Sequence, residues 1–508
     1  MKKLLGRILI VIPAIALQGL WYLFMLGLLK NLFPEYFWNI LNALLSILAV
    51  VFVTGLVAKR DESSYKLLWV MVIVAMPIFG AMLYAFWGNK NTGKKLKKKL
   101  EQSASMLSQL PHNHIYTSDI KNDHLRIGQT LEHISNTTGF PVLINETSKY
   151  YSFGEDMFRD MCEDLRKAEK YIYVEYFIIQ SGKFWNTLTD IMARKAAEGV
   201  DVRVMYDDLG SIGTYSVADM IELSKKGIKC IPFNPFLFIK PQLNNRDHRK
   251  IMVIDGEVAY SGGVNLADEY INEVQKYGIW KDIGFRITGE AVGSYTYMFA
   301  EFWNAFSNDK IGSDVLRLSE KVRTGEANGY ILPYYDSPVY EEHISNELFT
   351  EILSVATDYV WFYTPYLILG DALFDAFIRA ARRGVDVRII MPGIPDKKMV
   401  YRLSRSYYKD LMKAGVKIYE YTPGFVHAKA FVADDKIAGI GTVNLDYRSL
   451  FLHFECNAVF YRGNIIEDLK QDYLNTQREC IERSLDDLQE GMLYKLGNNF
   501  LRIIAPLI

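Results

Sequence analysis

The hydrophobic and polar positions divide the chain into an apolar beginning and a longer, alternating remainder. Charge-free apolar runs occupy residues 8–29, 36–58 and 67–87. Each run is close to the ~20 residues that a helix needs to cross a bilayer. Because no small-residue cleavage site follows the first run, the pattern predicts that the runs are retained as N-terminal transmembrane helices. For any single run, a buried core helix is the alternative.

Basic residues flank the apolar region and indicate its orientation. Lys2, Lys3 and Arg7 precede the first run, and a lysine cluster between residues 90 and 99 follows the third. An odd number of spans would place these groups on opposite sides, so the positive-inside tendency cannot hold for both. The larger cluster predicts a cytoplasmic position for the rest of the chain. Alternatively, the first run lies in the interface or re-enters the membrane.

From about residue 100 the pattern alternates between helix-like and strand-like stretches, and it repeats. YIYVEYFII at 171–179 matches YVWFYTPYL at 359–367, and AAEGVDVRVMYDD matches ARRGVDVRIIMPG. The alternation predicts an α/β fold in which helices cover each sheet. The repeat predicts two similar halves around a pseudo-two-fold axis. The predicted regions are a membrane region at 1–100, a first half at 101–325 and a second half at 326–508.

One short pattern occurs in both halves with identical spacing. The residues of the first copy are His248, Lys250, Asp255, Gly262, Gly263 and Asn265, and those of the second are His427, Lys429, Asp434, Gly441, Thr442 and Asn444. Each copy reads as a strand, a two-residue turn and a return strand. Residues i and i+2 of a strand share a face, so the His and Lys of each copy are expected to project together. The return strands would bring the Asn residues alongside.

These residue types suit the chemistry of a phosphate diester. Its attack needs fixed positive charge and hydrogen-bond donors, which the lysines and asparagines supply. One neutral imidazole can attack phosphorus, and the other, when protonated, can donate to the leaving alkoxide. A third group usually orients each imidazole. Asp282 follows the first copy and Glu455 the second, so each is a candidate for that role or an ordinary surface acid. Arg246, Arg249 and Arg448 are candidates for binding a headgroup phosphate, with an ordinary surface role as the alternative for each.

Composition narrows the chemistry further. The formal net charge is -1, so no overall basic field favours a nucleic acid partner. The four cysteines are scattered without C-x-x-C spacing, which argues against a zinc site or a disulfide framework. The sequence contains neither a Walker loop nor a dinucleotide fingerprint. We therefore expect no metal and no cofactor.

The two copies resemble the signature of the phospholipase D superfamily, in which a pair of HxKxxxxD motifs forms one active site. Within that superfamily the chain is similar to bacterial cardiolipin synthases over nearly its whole length, including YDDLGS, NLDYRS and the IIAPLI end. The resemblance implies two phospholipase D-type α/β sandwich halves that share one site. It makes His248 the nucleophile and His427 the acid and base.

The resemblance also implies roles for the other motif residues. The residues that would hold the phosphate are Lys250, Lys429, Asn265 and Asn444. Asp255 and Asp434, the acidic members of the catalytic motifs, would pair behind the site without touching substrate. The family often has Ser where this chain has Gly263, whereas Thr442 supplies a hydroxyl in the second copy. A lost hydroxyl would remove one hydrogen bond near the phosphate, worth roughly 0.5–1.5 kcal/mol.

The function implied by the resemblance is that of a multi-pass cardiolipin synthase of the cell membrane. It would transfer a phosphatidyl group between two phosphatidylglycerol molecules through a covalent phosphatidyl-histidine, giving cardiolipin and glycerol. A phospholipase D-type hydrolase, or a phosphatidyltransferase with another donor or acceptor alcohol, is the alternative among enzymes. The net charge disfavours a nuclease, and the two intact motifs disfavour a scaffold without turnover. The expected partners are phospholipids and the membrane, and the oligomeric state stays open.

Overall fold

The structure, a computed structural model, describes most of the chain. The described residues are 34–59, 62–76, 94–107, 114–235, 244–316, 328–339, 342–488 and 491–507, with isolated positions at 19, 23, 80, 81, 83, 84, 88 and 110. The chain forms two compact units. The first comprises Met1–Gly93, Phe236–Asn244 and Asn499–Ile508, and the second comprises Lys94–Pro235 and Asn245–Asn498.

The first unit contains helices α1 (Glu35–Val57) and α2 (Ser63–Ala75), which pack against each other. They coincide with the second apolar run and with the first part of the third. The run at 8–29 lies almost entirely outside the described residues. In the described part of the chain, no helix combines the length and the apolar character needed to cross a membrane. The predicted transmembrane helices are therefore not confirmed.

The first half of the second unit is built on a sheet with strand order β2-β9-β7-β6-β3-β4-β5. Its strands are β2 (Thr147–Tyr151), β3 (Tyr171–Tyr176), β4 (Asp201–Asp207), β5 (Lys229–Phe233), β6 (Lys250–Ile254), β7 (Val258–Gly262) and β9 (Gly284–Thr288). The neighbours β3, β4 and β5 are parallel, and the other pairs are antiparallel. β3 is buried along its whole length, which explains its continuous run of large residues.

The sheet of the second half repeats this arrangement and extends it, in the order β1-β10-β17-β16-β15-β11-β12-β13-β18. Its strands are β1 (Leu143–Ile144), β10 (Tyr330–Asp336), β11 (Tyr359–Tyr363), β12 (Asp386–Pro392), β13 (Lys417–Tyr421), β15 (Ala430–Ala433), β16 (Ile437–Gly441), β17 (Glu455–Tyr461) and β18 (Cys480–Glu482). The parallel set β11-β12-β13 corresponds to β3-β4-β5, and β15-β16-β17 corresponds to β6-β7-β9. The predicted α/β fold with two similar halves is confirmed.

Helices cover both sheets. The remaining helices are α3 (Lys94–Ala104), α4 (His114–Asp123), α5 (Leu125–Thr138), α6 (Gly154–Lys167), α7 (Lys183–Ala197), α8 (Val217–Lys225), α9 (Val292–Phe306), α10 (Ile344–Val355), α11 (Asp371–Arg382), α12 (Lys398–Lys413), α13 (Tyr447–Phe451), α14 (Asn464–Arg478) and α15 (Met492–Ile504). Helix α9 is buried along most of its length and contacts strands of both sheets. Helix α3 carries most of the lysine cluster and packs on α9, where Ser103 Oγ donates to Glu301 O at 2.6 Å.

A small parallel ladder joins the two halves near their shared edge. It consists of β8 (Ile279–Lys281) from the first half and β14 (Gly424–Val426) from the second. Strand β8 ends directly before Asp282, and β14 ends directly before His427. The ladder therefore brings a candidate orienting carboxylate of one half next to a motif histidine of the other.

Candidate active site

His248 and His427 lie in extended segments just before β6 and β15, the strands that the motifs predicted. Each histidine therefore stands outside the regular ladder of its own half, and the opposite half holds it. His248 N donates to Phe454 O at 2.8 Å, and His427 N donates to Lys281 O at 2.7 Å. Backbone hydrogen bonds between the halves thus fix the position of both histidines.

The orienting carboxylates act across the boundary between the halves. His248 Nδ1 lies 2.8 Å from Glu455 Oε2, and His427 Nδ1 lies 2.6 Å from Asp282 Oδ2. Both carboxylates are fully buried and occupy matching positions beside β17 and β9. A carboxylate at Nδ1 fixes the tautomer that leaves Nε2 available for chemistry. The sequence predicted an orienting group for each imidazole but not this crossed arrangement.

The lysines of the motifs lie buried beside the histidines. Lys250 Nζ donates to His248 O at 2.6 Å, and Lys429 Nζ lies 2.8 Å from His427 Nδ1. Burial lowers the pKa of Lys250 to about 8 and that of Lys429 to about 7. Burial, and then the charge of Lys429, lowers the pKa of His427 to about 4. Burial, followed by the charge of Lys250, holds the pKa of His248 well below its ordinary value. A bound anion in this pocket would stabilise the protonated forms of both lysines and both histidines.

We expect this basic pocket to take up protons when it binds an anion. At pH 7–8 the bound charge raises the pKa of Lys429 and Lys250, so groups that are partly neutral in the free enzyme become protonated. Affinity should then fall about tenfold for each pH unit above about 7 through Lys429, and by a further tenfold per unit above about 8 through Lys250. Calorimetry with tungstate, whose charge is constant in this range, would measure the uptake in buffers of different ionisation enthalpy. Lys429→Met should reduce the uptake, and binding without any proton uptake would contradict the expectation.

Glu455 is held by hydroxyl groups of its own half. Thr442 Oγ1 donates to Glu455 Oε2, and Ser449 Oγ donates to Glu455 Oε1 at 2.6 Å. Burial raises the pKa of Glu455 to about 8, against the opposing effects of Lys250 and these hydroxyls, and positive charge on His248 would favour its carboxylate form. The Thr442 hydroxyl thus supports the carboxylate that orients His248. The expectation that a hydroxyl at this position bonds near the phosphate is therefore corrected.

In the first half, Gly263 occupies the position that corresponds to Thr442. The Asp282 carboxylate fills the space that a side chain at Gly263 would need. A Cβ atom added at Gly263 would overlap with Asp282 Oδ1. We expect Gly263→Ser to push Asp282 away from His427 and to lower the rate of the reaction at this site by about 10–100-fold. Initial rates in mixed micelles would measure the loss. Gly491→Ser is the control, because an added Cβ there meets no atom within 4 Å. Equal rates in both variants would contradict the steric account.

The two asparagines of the motifs are buried but differ in their contacts. Asn265 Oδ1 accepts from Ile178 N at 3.1 Å, and Asn265 Nδ2 donates to Tyr270 Oη at 2.7 Å. The Tyr270 ring lies 5.4 Å from the His427 ring, so Asn265 supports an aromatic wall of the site. Among the described residues, Asn444 Oδ1 has no hydrogen-bond partner. Phosphate binding by either asparagine stays a prediction.

Asp255 and Asp434 lie at the far ends of β6 and β15, away from the histidines. The Asp255 carboxylate accepts the backbone N–H groups of residues 169–171 at 2.7–2.8 Å, and Asp434 accepts those of residues 357–359 at 2.7–2.9 Å. Both aspartates have positive φ in the predicted turns. Each carboxylate thus connects the turn before a return strand to the backbone segment that leads into β3 or β11. The expected pairing of the two aspartates is thus corrected: each binds the backbone of its own half.

Arg246 and Arg249 are enclosed in ion pairs rather than presented to a headgroup. Arg246 Nη2 lies 2.8 Å from Asp207 Oδ1, and Arg249 Nε lies 3.0 Å from Asp247 Oδ1. Arg249 also pairs with Glu175, and all five side chains are buried. These pairs stabilise the segment that leads into His248. The hypothesis that the two arginines bind a lipid phosphate is therefore wrong for this structure.

Further side chains around the histidines were not recognised in the sequence. The Trp280 and Phe425 rings lie 5.4 and 6.0 Å from the His427 ring. The Phe177 and His453 rings lie 4.8 and 6.0 Å from the His248 ring. His453 and Trp280 each precede an orienting carboxylate by two residues. That spacing, which places them on the same strand face as the carboxylate, is the signal that could have revealed them.

Comparison with protein families matches both halves and the N-terminal region. The model described as cardiolipin synthase, phospholipase D-like domain, matches residues 161–287 and 349–476. The model described as phospholipase D-nuclease N-terminal matches residues 44–89. Both motif histidines and both crossed carboxylates lie within the two matched halves.

Relatives and a solved structure agree with these matches. An uncharacterized protein of Streptococcus mutans is 42% identical over 89% of this chain and 98% of its own. Cardiolipin synthase 2 of Bacillus anthracis is 32% identical over 89% of this chain and 88% of its own. The crystal structure of phosphatidylserine synthase from Haemophilus influenzae Rd KW20 shares the fold, with 16% identity, a TM-score of 0.58, and coverage of 74% of this chain and 98% of that one. The chain therefore belongs to the cardiolipin synthase family with phospholipase D-like domains.

Proposed function

We propose that this phosphatidyltransferase moves a phosphatidyl group from one phosphatidylglycerol to the hydroxyl of a second, giving cardiolipin and glycerol. The observation that supports it is the pair of buried histidines, each oriented at Nδ1 by a carboxylate of the other half. The two motifs also share one electrostatic environment, because the charges of Lys429 and His427 are among those that act on His248. In such a pair, one imidazole can attack phosphorus, and the other can exchange a proton with the leaving or incoming alcohol on the opposite side.

In the first step, His248 Nε2 attacks phosphorus while the bond to the glycerol oxygen breaks. Protonated His427 gives its proton to that oxygen, and glycerol leaves. Burial keeps His248 neutral and therefore nucleophilic. Asp282 and the negative charge of the substrate favour the protonated form of His427. Lys250 and Lys429, together with Asn265 and Asn444, would hold the phosphate oxygens.

In the second step, the hydroxyl of another phosphatidylglycerol gives its proton to His427 and attacks the phosphorus of the phosphatidyl-histidine. The phosphorus–nitrogen bond breaks, so His248 returns to its neutral form and cardiolipin is complete. The carboxylates stabilise the positive charge on the imidazoles without accepting the proton. Water in place of the second alcohol would give phosphatidic acid, which is the hydrolytic alternative.

The proposed location of the enzyme is the cytoplasmic face of the cell membrane. Residues 1–100 would associate with the bilayer, and the halves at 101–325 and 326–508 would face the cytoplasm. The apolar runs, the lysine cluster and the N-terminal family match at residues 44–89 support this arrangement. Attachment to the membrane keeps both lipid substrates near the site.

Product analysis after reconstitution in phosphatidylglycerol vesicles tests the function. We expect cardiolipin and glycerol in equal amounts, and we expect the yield to be unchanged by a metal chelator. The His248→Ala/His427→Ala double variant is the control for contaminating activity. Phosphatidic acid as the main product would favour the hydrolase. Phosphatidyl transfer only to another added alcohol, without cardiolipin, would favour a different acceptor.

A further inference from the structure

Exposed apolar side chains from both halves gather next to His427. Val274 lies in the loop before β8, and Ile279 is the first residue of β8. Ile394 lies in the segment between β12 and α12, and Met399 lies in the first turn of α12. We call these four residues the apolar rim. Val274 and Met399 are 51% and 53% exposed, and exposed apolar side chains that form a contiguous patch, unlike single ones, mark an interaction surface.

The loops that carry the rim are fixed to the site. In the first half, Asn272 and Trp280 close the loop through a pair of hydrogen bonds at 2.7 and 3.1 Å, and the Trp280 ring lies 5.4 Å from the His427 ring. In the second half, Ile394 N donates to Gly424 O at 3.1 Å. Gly424 is the first residue of β14, the strand that ends directly before His427. Both loops therefore flank the segment that presents this histidine.

The rim is continuous across the boundary between the halves. A Cβ added at Gly278 would lie 3.2 Å from Ile394 Cδ1, so the two loops touch. In the first half, the loop after β4 exposes Ile212, and Val217 is the exposed first residue of α8. Both halves therefore expose apolar side chains after the strand that corresponds to β4 or β12.

A second exposed apolar surface joins the rim through α12. Arg402, one turn after Met399, donates to Asn498 Oδ1 at 2.8 Å and to Tyr494 O at 3.1 Å. Helix α15 therefore turns a polar face toward the protein and leaves Met492, Leu493 and Leu496 exposed. A helix of a soluble protein normally buries its apolar stripe, so this inverted orientation indicates an apolar medium outside.

The charged groups on this surface favour an anionic medium. Lys276 and Lys397 lie exposed in the loops of the rim, and Lys398 is the exposed first residue of α12. Among the acidic neighbours, Glu273 pairs with Lys183, and Asp396 accepts from Tyr366 Oη at 2.6 Å and lies 4.0 Å from Lys397 Nζ. The part of α15 that belongs to the same unit, residues 492–498, adds Lys495 and has no acidic residue. Lysines that surround apolar side chains match the headgroup layer of an anionic bilayer.

We propose that the apolar rim and the exposed face of α15 lie in the headgroup layer of an anionic phospholipid bilayer, so that the acceptor lipid reaches His427 without leaving the membrane. The identity of that lipid rests on the proposed function. A second copy of the chain on the same surface is the competing occupant, and the experiments separate the two.

Fluorescence from single labels tests where the surface lies. Val274→Cys, Met399→Cys and Leu493→Cys would carry an environment-sensitive dye, in full-length enzyme whose partly exposed thiols are removed by Cys230→Ser and Cys480→Ser. Leu125→Cys is the matched control, because Leu125 is 58% exposed and follows Asp123, which accepts from Tyr461 Oη at the far end of β17. In phosphatidylglycerol proteoliposomes we expect a blue shift and quenching by spin-labelled lipid at the three test positions only. A shift without lipid quenching, or no shift, would overturn the proposal.

Activity on two forms of the same lipid tests the consequence for catalysis. We expect Val274→Asp/Met399→Asp to lose about tenfold or more with phosphatidylglycerol in the bilayer, because the carboxylates oppose insertion. The variant should keep wild-type rates with monomeric dihexanoylphosphatidylglycerol added to phosphatidylcholine proteoliposomes. Leu125→Asp should match wild type with both. An equal loss on both substrates would overturn the proposal. A wild-type enzyme that makes no cardiolipin would instead contradict the proposed function, and the fluorescence test would still decide the location of the surface.

Discussion

Replacing His427 by alanine is expected to lower phosphatidyl transfer between phosphatidylglycerol molecules by about 10²–10⁴-fold, the range for loss of a general acid and base. Replacing His248 should cost more, because loss of a nucleophile removes the covalent route altogether. A lipid with a good leaving group separates the two roles. With phosphatidyl-p-nitrophenol the leaving oxygen needs no proton, so His427→Ala should release one equivalent of nitrophenol per enzyme and then stall. His248→Ala should show no such burst.

Stopped-flow absorbance of nitrophenol measures the burst directly. His133→Ala is a suitable control, because His133 is an exposed histidine paired with Glu347 at 3.2 Å, far in sequence from both motifs. Its rates should equal those of wild type. A burst in His248→Ala, combined with none in His427→Ala, would reverse the assignment of nucleophile and acid.

The second large effect is expected from the crossed carboxylates. Asp282→Asn should reproduce the behaviour of His427→Ala, including the burst with the nitrophenyl lipid. Glu455→Gln should reproduce that of His248→Ala, without a burst. The reason is geometric, because of the two motif histidines each carboxylate contacts the one of the other half, at 2.6–2.8 Å. Loss of an orienting carboxylate costs up to about 10⁴-fold where the tautomer of the histidine is lost.

The same burst assay measures this prediction, with natural phosphatidylglycerol as the reference substrate. Glu351→Gln is the control, since Glu351 forms an exposed ion pair with Arg126 on the helical surface. If each acid served the motif that precedes it in sequence, the pattern would be exchanged: Glu455→Gln would show the burst and Asp282→Asn would not. That outcome would contradict the crossed arrangement.

The sequence predicted the local parts of the site because they follow from short-range rules. The period of two in β6 and β15, the turns at Asp255 and Asp434, and the repeated spacing of the motifs all act within about 20 residues. The repeat of β3-β4 as β11-β12 was likewise visible as matched strings. These features needed no knowledge of how the halves meet.

The parts that the sequence did not predict depend on contacts between distant segments. The crossed carboxylates follow from the ladder of β8 with β14 and from the bridge of Asp247 with Phe454. No local pattern indicates which half each strand end will pair with. The role of Thr442 and the need for Gly263 depend on where the carboxylates come to lie. The burial of Arg246 and Arg249 depends on acids about 40 and 74 residues away.

The most direct test of the account is to locate the covalent intermediate in the Asp282→Asn variant, which keeps both histidines. After reaction with phosphatidyl-p-nitrophenol and proteolysis, tandem mass spectrometry would identify the modified side chain. The account predicts a phosphatidyl group on His248 in an amount equal to the nitrophenol burst. A phosphatidyl group on His427, or a full burst that leaves both histidines unmodified, would contradict it.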